Sequence, residues 1–305
     1  MLLVTAANGN QGKLLVPKLL AKGHEVRALV RSARSADRLK ALGVTDVIVG
    51  DIADRGTLER SVRGVDAIYH VGPTLHPRER DIGIGLIDAA CEANVRHVVF
   101  SSVLHSIASD LVQHAIKRDI EEHLLKSGLE YTILQPSNYM LPLKLLPVFT
   151  DGVFRLSWSL DRKQSLVDLE DVTDVAGKVL DEPEKHAGAT YELVGSGRYT
   201  AHDLAAILSK VVARDIHAEQ IKADTYFKAW FGKDDPATRQ HELRTLQAIT
   251  AHYSAHDFIG NPNVLTWLLE RTPTTFEAFA AREFAAFRRV ESEDGTRSGT
   301  SAAGL

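Results

Sequence analysis

A single cysteine, Cys91, stands among 305 residues, so no disulfide can close within the chain. Its segment, LIDAACEANV, has helical spacing, where a small buried thiol is ordinary packing, and such scarcity suits a reducing cytoplasm. Long apolar runs are missing too. The longest patch, YMLPLKLLPVF, is broken by Lys144 and two prolines, too short and too interrupted to span a bilayer, and it reads as the wall of a pocket. The first residues hold no basic stretch with a cleavage site, so no signal peptide is expected. Basic excess is also absent. Lys and Arg number 36 against 40 Asp and Glu, for a formal charge of -4, and no basic stripe offers itself to a phosphate backbone. Direct nucleic-acid binding is therefore excluded from the expected functions.

What the chain does have is enough apolar residue for a full core, 44% hydrophobic beside 25% charged, and a rhythm. Short apolar runs (LLVTAA, EVRALV, DVIVGD, DAIYHVG, HVVFSS, YTILQP) alternate with amphipathic stretches. That is the pattern of strand-helix-strand units building a parallel sheet buried on both faces. The expected fold is α/β, a Rossmann-type doubly wound parallel sheet with a smaller, mostly helical C-terminal lobe. After Gln135 the rhythm breaks, and SNYMLPLKLLPVFTDGVFRLSWS reads as irregular. LEDVTDVAGKVLDEP reads as a helix, and ATYELVG as a strand returning to the sheet near 189–195. Residues 1–150 are thus expected to form the sheet domain and 151–290 a lobe interleaved with it. The polar stretch 291–305 is expected to be a disordered tail. No internal repeat is visible.

Between the first strand and the first helix lies VTAANGNQG. In such a loop one glycine makes the tight turn, a second lets the backbone approach phosphates and a third lets helix and strand pack, while free N–H groups at the helix start receive the anion. Gly9 and Gly12 keep the second and third jobs. Ala6 takes the first, which requires that its turn stay at negative φ. Asn8, Asn10 and Gln11 fill the rest of the loop. About twenty residues on, at the end of the second strand, an acid would hold the ribose hydroxyls of NAD. This chain has Arg31 there, then Ser32 and Arg34, a setting for a 2′-phosphate. The expected cofactor is NADP(H), in preference to NAD(H). Asp51 and Ile52, ending the third strand, would flank the adenine, and Val71, Gly72 and Pro73, ending the fourth, lie on the cofactor's path.

These segments, with NVRHVVFSSVLHS, IKRDIEEHLLKSGLEYTILQPSNYM, VDLEDVTDVAGKVLDEP, GATYELVG and RTPTTFEAFA, resemble in order and spacing the NmrA-like branch of the atypical short-chain dehydrogenases. The likeness runs to about Phe287. It implies an NADP-preferring Rossmann domain, and a family divided between NAD(P)H-dependent quinone and other reductases and regulators that bind the cofactor and turn over little. Short-chain dehydrogenases carry a serine after the fifth strand, then a tyrosine and a lysine four residues apart on the next helix. Here Ser101 and Ser102 end the strand and Lys117 fits the lysine. The tyrosine position holds Gln113, whose amide supplies no proton at neutral pH. His114, on the same helical face as Lys117, is the candidate to replace it, with His105 a second. Ser102, Lys117 and His114 are the catalytic candidates.

Gln135, Asn138 and Tyr139 follow the sixth strand, where nicotinamide and substrate would meet; Lys117 is expected to fix the ribose and Asn138 to help hold cofactor and acceptor. His252 and His256 are spaced for a metal, but no third ligand is marked and no metal site is expected. Tyr226, Phe227, Trp230 and Phe231 have the spacing of a lobe-packing face. The resulting expectation is a cytoplasmic NADPH-dependent reductase, monomer or homodimer, passing hydride to a quinone or other conjugated or carbonyl compound. The alternative is a non-catalytic NADP(H) sensor acting through a protein partner.

Overall fold

The computed structural model describes all residues except Ser109, 232–238 and 301–305; for Trp230, Phe231 and 291–300 only the backbone is described. Six strands, β1 (Leu2–Val4), β2 (Val26–Val30), β3 (Asp46–Val49), β4 (Ala67–Val71), β5 (His97–Ser101) and β6 (Glu130–Pro136), alternate with helices α1 (Gly12–Ala21), α2 (Ala33–Ala41), α3 (Arg55–Val62), α4 (Glu79–Glu92) and α5 (Val112–Lys126). Next come β7 (Asn138–Met140), α6 (Pro142–Asp151), β8 (Val153–Leu156), β9 (Leu166–Asp168), α7 (Leu169–Asp181), α8 (Pro183–His186) and β10 (Ala189–Leu193). The chain then runs through α9 (Ala201–Val212), β11 (His217–Gln220), α10 (Ala223–Phe231), α11 (Gln240–Ala255), α12 (Asn263–Leu269) and α13 (Phe276–Thr300).

The main sheet is parallel throughout, in the order β10-β6-β5-β4-β1-β2-β3. ATYELVG does return to the sheet, pairing Ala189–Leu193 with Thr132–Pro136. Side chains alternate across the strands as a doubly covered sheet requires. Leu3, Ile68 and Phe100 pack on one face with Leu86 and Ile120 of α4 and α5. Val4, Tyr69 and Val99 pack on the other with Leu15 of α1 and Val172 of α7. The order reverses between β1 and β4, so a crevice opens at the carboxyl ends of these strands, where such sheets bind ligands.

Two expectations are corrected. SNYMLPLKLLPVFTDGVFRLSWS is not irregular: it forms β7, α6 and β8, with β7 paired to β9 and β8 to β11. Its prolines fit, because Pro142 is at the first position of α6, where its missing N–H is not needed. Nor does Ala6 stay at negative φ; it sits at +49°. Its carbonyl accepts the Gly9 N–H at 2.7 Å, so the chain reverses directly after β1, and the left-handed backbone costs alanine about 1 kcal/mol. The lobe has its own core, in which Met140, Phe154, Trp158, Leu208, Phe258 and Phe279 are buried together. Tyr226 and Phe227 pack with Leu246 in a small cluster; the side chains of Trp230 and Phe231 lie outside the described residues. The backbone of α13 is helical to Thr300, where the sequence reads as a disordered tail from 291; the side chains of 291–300 and all of 301–305 lie outside the described residues. No helix among the described residues is long and apolar enough to cross a membrane.

Candidate functional site

A groove of about 750 Å³ follows the carboxyl ends of β1 to β4. Ala6, Asn8 and Gly9 form part of its wall, as do Arg31, Ser32 and Ser35 at the end of β2 and Gly50 and Ile52 after β3. Val71 and Pro73 continue it, and Arg239 and Glu242 from the lobe complete it. The loop after β1 is tightly built. A Cβ on Gly12 would fall 2.4 Å from the Ala7 carbonyl oxygen, so only glycine lets α1 start this close to the strand. The first turn of α1 carries no acid, so its amide end meets no carboxylate of its own helix. Asn8 Nδ2 donates to Ser35 Oγ at 2.9 Å, joining the first loop to the start of α2, which Ser32 caps. Arg31 is exposed on the wall and makes no hydrogen bond or ion pair among the described residues.

Of the fourteen residues expected at a cofactor, Ala6, Asn8, Gly9, Arg31, Ile52, Val71 and Pro73 line this groove. Asn10 is exposed on the loop. The Asp51 carboxylate turns back to accept the Ala53 N–H at 2.9 Å. Gln11 points inward: its Nε2 donates to Ser101 Oγ at 3.0 Å and to the Tyr139 hydroxyl at 2.8 Å, and its carbonyl accepts the Tyr69 hydroxyl. It therefore ties the loop to β4, β5 and β7. Burial pushes the Tyr139 phenol up to about 12 and Tyr69 higher still, so both rings stay neutral near pH 7.

The three catalytic candidates are not brought together on the wall. Ser102 donates its hydroxyl to the buried Glu121 carboxylate, which also accepts Ser106 at 2.8 Å and Gln135 at 2.9 Å. His114 is 1% exposed, with Nδ1 2.9 Å from the His105 carbonyl. Burial lowers its pKa to about 4, so at neutral pH it is an uncharged ring donating to a backbone oxygen. Lys117 lies under the floor. Its Nζ is 2.8 Å from Glu79 Oε1, with side-chain exposures of 7% and 1%, and 5.1 Å from the centre of the Phe100 ring. Gly72 covers the pair: a Cβ there would fall 2.8 Å from Glu79 Oε1 and 3.0 Å from Lys117 Nζ. Gln113 buries a side-chain oxygen that has no hydrogen-bond partner.

Beside Tyr139 a second, smaller cavity of about 40 Å³ opens in the lobe. Met140, Leu145, Trp158, Phe276 and Phe279 wall it, with Asn138, Lys144 and Gln164 as its polar members. YMLPLKLLPVF thus lines a pocket, as its composition suggests. Asn138 Nδ2 donates to Gln164 Oε1 at 2.7 Å, and Tyr253 donates to Asn138 Oδ1 at 3.4 Å. Asn138 is therefore a residue of this cavity rather than of the large groove. Tyr139 belongs to the cavity and, through Gln11, to the glycine-containing loop. His252 pairs with Asp110 at 2.6 Å, and no three metal-ligating side chains gather among the described residues. Glu79, Glu121, Gln164, Arg239 and Glu242 escape sequence reasoning, since their partners or neighbours are set by the fold rather than by a motif.

Comparison with known proteins agrees with this fold. The NmrA-like family matches residues 1–280. The NAD(P)H azoreductase of Xenophilus azovorans is 28% identical over 94% of this chain and 99% of its own. A (4-alkanoyl-5-oxo-2,5-dihydrofuran-3-yl)methyl phosphate reductase of Streptomyces griseus is 32% identical over 81% of this chain and 86% of its own. Among solved structures, an NADPH-dependent quinone oxidoreductase of Escherichia coli complexed with NADPH superposes with a TM-score of 0.77. It is 23% identical, covering 93% of this chain and all of that one, and at that identity the likeness is one of fold.

Proposed function

The chain belongs to the NmrA-like family, and from that premise we propose that it is an NAD(P)H-dependent reductase that uses the large groove for the nicotinamide cofactor and seats an apolar acceptor beside Tyr139 at the lobe cavity, which at about 40 Å³ must widen to admit it. One observation carries this reading: a groove at the sheet's reversal point that brings the tight Ala6–Gly9 turn, which leads into the acid-free start of α1, beside a cation, Arg31, without a partner among the described residues. These features fit a dinucleotide, whose pyrophosphate needs free N–H groups and whose 2′-phosphate needs a guanidinium. In this reading Arg31 makes NADP(H) the preferred cofactor. Residues 1–150 supply most of the groove's wall, with Arg239 and Glu242 added from the lobe, and residues 138–145 join 151–290 in walling the acceptor's cavity.

When bound, the cofactor supplies hydride. The chain's own residues place the acceptor and keep water away. Trp158, Phe276 and Phe279 offer flat apolar surface, and Asn138 orients an acceptor oxygen. Tyr139 stands between loop and cavity with a neutral phenol, its oxygen already accepting from Gln11, so its own proton is available to the acceptor. A quinone or similarly conjugated compound suits this arrangement, because its reduced form is a stabilised oxyanion that needs little acid catalysis. The expected result is saturable consumption of NADPH by the purified protein with one acceptor class from a panel of quinones, enones and aldehydes. Tight NADPH binding without turnover on any of them would favour the second reading, a cofactor sensor, for which Gln113 in the tyrosine position speaks.

A further inference from the structure

The groove wall holds two charged residues that no loop of the sheet supplies. Arg239 and Glu242 stand at the start of α11, in the lobe, yet line the same cavity as Ala6, Gly9 and Arg31. They face each other one helical turn apart, Arg239 Nη1 to Glu242 Oε1 at 3.5 Å, with side-chain exposures of 36% and 18%. That is a long, partly wet contact, and such pairs contribute little. A phosphate oxygen offers the same guanidinium a shorter, charge-assisted bond. The acid-free end of α1 gives a pyrophosphate dipoles but no full charge, and Arg31 lies at the end of β2, where the 2′-phosphate is assigned. The remaining guanidinium on the wall comes from the lobe.

We propose that Arg239 binds the cofactor's pyrophosphate from the lobe side of the groove, and that Glu242 is one internal group it leaves to do so. This rests on the reading of the groove as a dinucleotide site. It makes the lobe a participant in cofactor binding, in which a phosphate takes the place of a carboxylate at Arg239. Glu242, left without its cation, is exposed enough to be hydrated, so the exchange buries no bare charge.

Calorimetric titration of NADPH and of NADH into wild type and variants tests it. Arg239→Ala should weaken both nucleotides by a similar factor, about tenfold, since both carry the pyrophosphate, and Arg239→Lys should recover part of the loss. Glu242→Gln should tighten both. Melting temperatures without nucleotide should stay near wild type for all three. Arg239→Ala within twofold of wild type for both nucleotides would overturn the assignment, and so would Glu242→Gln weakening both. Loss confined to NADPH would also overturn it, placing Arg239 at the 2′-phosphate. A wild type that binds neither nucleotide would instead remove the dinucleotide reading itself.

Discussion

Replacing Lys117 by methionine keeps the length of the side chain and removes its charge, leaving the Glu79 carboxylate buried beneath Gly72 with no cation. Apart from the ion pair with Lys117 Nζ at 2.8 Å, 7% and 1% exposed on its two sides, neither Glu79 oxygen has a hydrogen-bond partner among the described residues. Breaking a buried pair by removing one partner costs about 3 to 5 kcal/mol, because the remaining charge is neither solvated nor matched. For a chain of this size each kcal/mol lowers the melting temperature by roughly 2 °C, so Lys117→Met should melt about 6 to 10 °C below wild type with no ligand present. The double variant Lys117→Met with Glu79→Met exchanges two opposed charges for two apolar chains, and should recover most of that loss. Urea unfolding of the four proteins then gives a coupling energy of roughly 3 kcal/mol between the two sites. An apo Lys117→Met that melts within about 2 °C of wild type, with the loss seen only in cofactor affinity, would refute the reasoning and return Lys117 to the ribose-anchoring role its motif position implies.

Two further outcomes are expected. Arg31→Ala should weaken NADPH by about 10- to 100-fold, the equivalent of one charge-assisted hydrogen bond, and leave NADH within about twofold; equal losses in a titration would take Arg31 off the 2′-phosphate. His114, with a folded pKa near 4 against 6.5 for the ordinary ring, leaves the unfolded chain holding more protons between those values. Its contribution to stability is therefore complete above about pH 6.5 and is lost as the pH falls toward 4. His114→Asn, which keeps a donor for the His105 carbonyl, should make stability fall less steeply over that window than in wild type; identical slopes in urea unfolding would show that His114 does not titrate on unfolding.

Much of the sheet was legible because burial on both faces makes parallel strands into short apolar runs, and the turn residues between them are strong punctuation. The return of ATYELVG to β6 could be read the same way. Residues 137–159 could not, because Pro142 and Pro147 look like breaks until one sees that the first starts α6 and the second lies within it. The Ala6 backbone was misread because a positive φ leaves no mark on composition. At the site, motif positions pick out seven of the residues that line the groove. They misjudged the direction of side chains. Gln11 and Ser102 sit where the motif predicts and point into the interior, toward Tyr139 and Glu121 respectively. Glu79 meets Lys117 across 38 positions of chain, and Arg239 shares a groove with the first loop across more than two hundred, separations at which no periodicity carries information.

The account's central claim is that the groove over β1 to β4 holds a nicotinamide dinucleotide that serves the lobe cavity beside Tyr139. The most direct measurement is a crystal structure of the protein with NADPH bound. It should show the 2′-phosphate against Arg31, the pyrophosphate at the start of α1 and the nicotinamide toward Tyr139 and the lobe cavity. Nucleotide bound elsewhere, or in this groove with its nicotinamide turned away from Tyr139, would contradict it.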